Sequence, residues 1–414
     1  MPKLLRLLGG LAIATWLALP GGGAGVSEAW AQPTVSGIRV GQPADNITRF
    51  VLDLSEDVKF NLFLLPDPHR VVLDLPQINW SVDPGAGTQA RGLITGFRFG
   101  QFQPGTARMV LDLGQPAEIV LAQVIPPRDG AGHRLVVDLR GATRERFLEA
   151  VQRTKPTALT QVAAAVPPLG TPRPRGDGRK IIMLDPGHGG VDPGAIGVSG
   201  IYEKQITLMF AQELRRKLQA TGRYRVLMTR EGDEFVELRR RVDLAREAQA
   251  DLFVSIHADS IENRQVRGGT VYTLSQTASD REAEQLAAKE NKVDIIAGID
   301  LGRESDQVTS ILIDLAQRET MNHSATFAQI LVREMEQRVH MHKNGHRFAG
   351  FRVLKAPDVP SVLVELGYLS SRADEQMLRS PAGRARLADA LLRAVDRYFE
   401  GGRNCAAAAL SCPP

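Results

Sequence analysis

Four residues of the types that carry out metal-assisted hydrolysis stand at element boundaries along the 414-residue sequence, three just past strand-like runs and one opening a helix. His188 lies in Asp185-Pro186-Gly187-His188-Gly189-Gly190, directly after the apolar run Lys180-Ile181-Ile182-Met183-Leu184. His257 opens His257-Ala258-Asp259 after Leu252-Phe253-Val254-Ser255-Ile256, and Glu365 opens Glu365-Leu366-Gly367-Tyr368-Leu369-Ser370 after Ser361-Val362-Leu363-Val364. Glu203 begins a stretch with Ile206, Phe210, Leu214 and Leu218 at helical spacing. Two imidazoles and one carboxylate are a ligand set for catalytic zinc, with one position left for water. A further carboxylate off the metal supplies the general base such a site needs. The residue types alone leave open which carboxylate binds and which moves the proton.

These residues need a scaffold that brings distant strand ends together. Strand signals at 180–184, 224–229, 251–256, 269–274 and 361–364 alternate with helix signals from Glu203, over 238–250 and over 306–339. The alternation predicts an α/β domain over 179–400, a mixed sheet flanked by helices. In such sheets, sites gather beyond the C-terminal strand ends, where His188, His257, Glu365 and the helix-opening Glu203 can meet on one edge. The glycines around His188 let the backbone bend sharply and approach a ligand. His340, His342 and His346, near Lys343 and Asn344, read as a solvated helix end, and His323 as a polar or packing residue of the long helix. His69 and His133 fall in turns.

Residues 33–145 carry an internal repeat. Ser36-Gly37-Ile38-Arg39-Val40-Gly41-Gln42 matches Thr95-Gly96-Phe97-Arg98-Phe99-Gly100-Gln101, Arg49–Leu54 matches Arg108–Leu113, and Arg70–Leu75 matches Arg134–Leu139. Each segment is short, rich in Val and Leu and bounded by turn residues, which reads as strand. Two copies stacked face to face predict an all-β sandwich with one core. The repeated Asp53, Asp74, Asp112 and Asp138 are expected to face outward and pair with the repeated arginines, leaving this block to binding rather than catalysis.

Lys3 and Arg6 precede an apolar run, Leu7 to Leu19, and Ala29-Trp30-Ala31 follows as a cleavage site, so residues 1–31 read as a Sec-type signal peptide. The run is short for a span, and no later segment is apolar enough, so no stable membrane span is expected. Residues 146–178, with Pro156, Pro167, Pro168, Pro172 and Pro174, read as a spacer, its start at 145–151 as a short closing helix, and 401–414 as a tail. The net charge of +4 is concentrated in that spacer, which carries +3, so neither folded block is basic and no nucleic-acid partner is expected. The only cysteines, Cys405 and Cys412, sit in the tail, which excludes a cysteine-rich zinc module and a cysteine nucleophile inside the fold.

On the quoted strand-end motifs, residues 179–399 resemble the zinc-dependent N-acetylmuramoyl-L-alanine amidases of the Amidase_3 family. The repeated block at about 35–142 resembles the AMIN domain, a β-sandwich that targets periplasmic proteins to peptidoglycan or the division site. The order of signal, AMIN and amidase resembles the Gram-negative division amidases. The resemblance implies zinc held by His188, Glu203 and His257, with Glu365 as the catalytic glutamate. It also implies hydrolysis, in the periplasm, of the amide joining the lactyl group of N-acetylmuramic acid to the stem peptide's L-alanine. Thr229-Arg230 and Ala250-Asp251-Leu252-Phe253 fit the same pattern.

More than 80 residues separate the strand ending at Leu274 from the one at Ser361. Residues 279–292 read as a helix, followed by a Gly/Asp-rich stretch. Relatives carry such an inserted helix over the site, where a glutamate fills the metal's open position until an activator with a LytM-type domain displaces it. Glu282, Glu284 and Glu290 are the candidates, Glu290 in Lys289-Glu290-Asn291 being preferred. Two other readings stay open from the sequence: a catalytically silent peptidoglycan-binding regulator, and a zinc peptidase or deacetylase acting on another wall substrate.

Overall fold

The structure, a computed structural model, describes residues 32–154, 178–298 and 311–407, apart from residues 45, 83–89, 104 and 129–131. The expected signal peptide, most of the expected spacer, and the side chains of Cys405 and Cys412 lie outside the described residues.

The N-terminal block is a sandwich of two sheets. One has the order β5-β1-β2-β9-β8, from β1 (Thr34–Ala44), β2 (Ile47–Leu54), β5 (Asn79–Trp80), β8 (Ala117–Ile125) and β9 (His133–Gly141). The other has the order β3-β4-β7-β6, from β3 (Asn61–Leu65), β4 (Arg70–Pro76), β6 (Ile94–Gln103) and β7 (Thr106–Leu113). Strict alternation in β2 turns Phe50, Leu52 and Leu54 inward, where they meet Val71, Leu73, Met109, Leu111, Leu135 and Val137 in one core. Burying each such side chain contributes about 1.5–3 kcal/mol.

The two sequence copies are interleaved rather than stacked as separate units. Each sheet joins strands of both copies, β2 pairing with β9 and β4 with β7. Interleaving gives partners to strand edges that separate units would leave open. The four repeated aspartates pair with repeated arginines across strands: Asp53 with Arg39, Asp112 with Arg98, Asp138 with Arg49 and Asp74 with Arg108. Helix α1 (Arg144–Thr154) closes the sandwich by burying Phe147, Ala150 and Val151, and so covers residues 146–154 of the stretch assigned to the spacer.

The C-terminal block is built on a six-stranded mixed sheet of order β11-β10-β12-β15-β13-β14. Its strands are β10 (Lys180–Pro186), β11 (Tyr224–Met228), β12 (Leu252–His257), β13 (Gly269–Leu274), β14 (Met341–Ala349) and β15 (Ser361–Glu365). The first four in spatial order are parallel, and β13 turns antiparallel against β15. On one face pack α2 (Glu203–Ala220), α6 (Ile311–Glu336) and α8 (Pro381–Ala407); Ile206, Phe210, Leu214 and Leu218 of α2 are all at most 1% exposed, as their spacing predicts. The other face is covered by α3 (Leu238–Glu247), α4 (Arg281–Glu290) and the short α5 (Val293–Ile296). Helix α7 (Arg372–Arg379) follows β15, and α8 runs through Ala407, past the domain end expected at residue 400.

One element differs from the sequence reading. His342 and His346 lie on strand β14, with His340 just before it, not at a helix end. Among the described residues, strand β14 pairs on one edge, with β13, and an edge strand tolerates the polar run His342-Lys343-Asn344 that masks its strand character. His346 Nε2 sits 3.0 Å from Thr273 Oγ1 on the neighbouring strand.

Candidate metal centre and active site

The register of three adjacent strands sets the site. Parallel pairing places Pro186 opposite Ile256 and His257 opposite Glu365, so the ends of β10, β12 and β15 lie side by side. His188 sits in the turn after β10 with φ of 61°, a left-handed conformation unusual for a residue with a Cβ. Gly187 makes that turn fit: a Cβ there would stand 2.4 Å from Cε1 of His257.

His188, Glu203 and His257 are each at most 5% exposed, and one ligand atom from each lies within 4.8 Å of the others. His188 Nε2 stands 3.0 Å from Glu203 Oε2 yet has no hydrogen-bond partner among the described residues, and His257 Nδ1 stands 3.1 Å from Glu203 Oε1. Each Glu203 oxygen is held by a backbone amide, Oε2 by Ala195 and Oε1 by Ala258, both at 2.8 Å. Glu290, at the end of α4, enters the same space: its Oε2 lies 3.3 Å from His257 Nδ1 and 3.7 Å from His188 Nε2. Ligands bound tetrahedrally at zinc's usual bond lengths stand about 3.3 Å apart, so this donor set fits that ion. Glu282, in contrast, pairs with Arg347 away from the cluster.

Glu365 is fully buried; its Oε2 accepts the Asp259 amide at 2.9 Å and its Oε1 has no partner among the described residues. Burial, reinforced by Glu203 and Asp259, pushes its pKa well above the carboxylate range. Burial works against a charge on His188, but Glu203, Asp192 and Glu290 outweigh it and hold that pKa well up. Burial likewise opposes the charge on Glu203, which the two histidines nonetheless keep ionised.

A second layer fixes the turn. His188 Nδ1 is 2.7 Å from Asp192 Oδ2, which leaves Nε2 turned to the cluster. Buried Arg241 bonds Asp185 at 2.7 Å and the His188 carbonyl at 2.9 Å, while Thr229 and Ser255 hydroxyls donate to Asp185. Arg230 donates to the carbonyls of Pro186 and Gly187, and burial followed by Arg241 drives its pKa down to about 10. Asp192 and Arg241 were not picked out from the sequence. Asp192 had a signal, standing four residues after His188 in the same turn; Arg241 is one of three consecutive arginines and has none.

Compared with known proteins, residues 182–397 match the Amidase_3 family, described as N-acetylmuramoyl-L-alanine amidase, and residues 37–139 match the AMIN domain. The chain is 36% identical to the N-acetylmuramoyl-L-alanine amidase AmiC of Escherichia coli O6:H1, over 88% of this chain and 89% of that one. The chain belongs to the N-acetylmuramoyl-L-alanine amidase family. This amidase is also 36% identical to AmiC of Neisseria meningitidis serogroup B, over 86% of this chain and 88% of that one. The solved amidase AmiC2 of Nostoc punctiforme is 27% identical, with a TM-score of 0.39 over 54% of this chain and 99% of that one. Among the described residues of this amidase, no helix is long and apolar enough to cross a membrane.

Proposed function

We propose that this amidase is a zinc enzyme that cuts the amide between the N-acetylmuramic acid lactyl group and L-alanine in peptidoglycan, and that Glu290 holds it in a closed state. His188, Glu203 and His257 would hold the ion; bound there, zinc supplies Lewis acidity toward the scissile carbonyl and lowers the pKa of a water. The observation that carries this reading is the convergence of Nε2 of His188, Nδ1 of His257 and the Glu203 carboxylate, with the unpartnered Oε1 of Glu365 in the same buried site.

Glu365 takes the proton of the attacking water at Oε1 while the Asp259 amide fixes Oε2. The C–O bond forms first and makes the carbonyl carbon tetrahedral; Glu365 then gives its proton to the amide nitrogen, and the C–N bond breaks to release the amine of L-alanine. Asp192 orients His188, and the backbone amides of Ala195 and Ala258 orient Glu203. Glu290 fills the space that water and the scissile carbonyl need, and Lys289, paired with Asp259 beside it, fastens the same helix end. Burial works against the Lys289 charge, but Asp259 and Glu203 outweigh it and hold its pKa up.

The remaining roles follow the sequence reading. Residues 1–31 are a signal peptide for Sec export to the periplasm, the sandwich is an AMIN targeting domain, and the Pro-rich stretch is a spacer. A LytM-type activator at the division site draws α4 away. The test is zinc content with activity. Wild type should bind one zinc and release little stem peptide. Glu290→Ala should keep the zinc and gain activity, and loss of either imidazole should abolish both. A Glu290→Ala chain that is loaded with zinc and no more active than wild type overturns the closed-state assignment.

A further inference from the structure

The strands of the N-terminal sandwich touch the segment that carries Glu290. Arg70 of β4 donates to the Ile295 carbonyl, and Arg108 of β7 donates to the carbonyls of Ala297 at 3.2 Å and Gly298 at 3.3 Å. Both arginines are buried, at 2% and 6% exposure. The three carbonyls lie at the end of α5 and in the turn after it; that of Ile295 also accepts the Gly298 amide at 3.0 Å, and cationic donors suit a helix C-terminus. Gly298 lies flat on the sheet with φ of 77°; a Cβ there would stand 3.0 Å from Val72 and 3.2 Å from Val110. Phe63, Leu65, Val72 and Val110 share one apolar cluster with Ala283, Leu286 and Ala287 of α4 and Val293 of α5.

Arg108 is itself built in. It forms a bidentate pair with Asp74 at 2.6 and 2.8 Å, and its guanidinium lies 3.5 Å from the centre of the Phe102 ring. Phe102 stacks on Phe235 of the C-terminal block, and the Phe235 amide donates to the Gln101 carbonyl at the end of edge strand β6. On the other side, Asp294 of α5 accepts the Leu238 amide at the start of α3. The segment after Glu290 is therefore held from both blocks.

The repeat supplies an internal comparison. Arg49 and Asp138 are the repeat equivalents of Arg108 and Asp74 and pair in the same bidentate way, at 2.7 Å, on the other sheet. There the arginine side chain is 41% exposed, against 8% for Arg108. One copy of the pair stands open, and the other grips the α5 carbonyls.

We propose that the four-stranded sheet is an intramolecular clamp on the α4–α5 segment: Arg70 and Arg108 grip the carbonyls of residues 295, 297 and 298 and keep Glu290 seated in the His188–Glu203–His257 cluster. Undocking this sheet frees the segment, so the domain that carries the chain to its site also sets how tightly the site is shut. The clamp rests on the reading that Glu290 closes the site.

The experiment uses the full chain and two readouts, hydrogen exchange of the amides over residues 281–297 and basal release of stem peptide from purified peptidoglycan. Arg70→Ala combined with Arg108→Ala should speed exchange across that segment by about tenfold and raise basal release. Arg49→Ala should change neither. Gly298→Val perturbs the contact from the segment's side, leaves the sandwich's own residues untouched and should behave like the double variant, which covers the case in which loss of two buried arginines unfolds the sandwich. Unchanged exchange and release in Gly298→Val, with Glu290→Ala active, overturns the clamp and keeps the closed-state reading. An inactive, zinc-loaded Glu290→Ala chain overturns both.

Discussion

Replacing Asp192 by Ala isolates the layer behind the proposed metal ligands. Asp192 and His188 are both 3% exposed at the side chain, and Asp192 Oδ2 accepts from Nδ1 at 2.7 Å, which leaves Nε2 free toward the cluster. Its other oxygen accepts the Gly194 amide at 3.1 Å. Removing a buried partner of a histidine ligand weakens metal binding by about 10–100-fold, or about 1.4–2.7 kcal/mol. The upper half of that range is expected here, because both side chains are buried away from solvent. Two effects oppose each other with pH. In the metal-free protein His188 holds a proton above its usual range, and zinc must displace it, so wild-type affinity falls about tenfold per pH unit below that pKa. Taking away Asp192 removes one anion that favours this proton and lowers the pKa. The variant's deficit is therefore largest at high pH and shrinks as pH falls. Competition with a chromophoric chelator from pH 6 to 9 measures it, with Asp192→Asn, whose amide oxygen still accepts, losing less. Affinity within about twofold of wild type at pH 9 would refute the orienting role.

Glu365→Gln should keep its zinc and lose at least about 100-fold in kcat, because the amide cannot take a proton at Oε1; metal analysis beside steady-state rates separates the two. Asp280 caps α4 through the Ala283 amide and pairs with Arg347, which first among its contacts lowers its pKa to about 2. Its folded pKa is depressed, so its support for α4 is present above about pH 4 and lost as pH falls toward about 2. Asp280→Asn should speed hydrogen exchange in α4 at pH 7, and the difference from wild type should vanish at the acid end. Phe147→Ala, at a fully buried position packed edge-on to His69, should cost about 3–5 kcal/mol in the unfolding of the sandwich while leaving zinc content unchanged. A zinc loss there would show that the two blocks do not fold independently.

Much of the candidate site's geometry is legible in the sequence because its residues lie on regular elements. Apolar runs ending in His188, His257 and Glu365 mark three strand ends, and parallel pairing needs no further information to set them side by side. Glu203 was legible because a helix with Ile206 and Phe210 on its inner face can begin in only one place. The supporting layer was not. Arg241 has the same local pattern as Arg239 and Arg240, and only the helix's rotation against β10 decides which one is buried. Strand β14 was missed because an edge strand does not alternate cleanly. The interleaving of the repeat was hidden too, since both pairings satisfy the same inward-facing residues. The contacts of Arg70 and Arg108 with the end of α5 join residues 189 to 225 positions apart, and no periodicity encodes them.

The central claim is tested most directly by the products the Glu290→Ala chain makes from purified peptidoglycan. The account predicts intact stem peptides with a new free amino group on L-alanine, zinc-dependent and absent when Glu365→Gln is added. Shortened peptides, free acetate, or no product from a folded, zinc-loaded chain would contradict it.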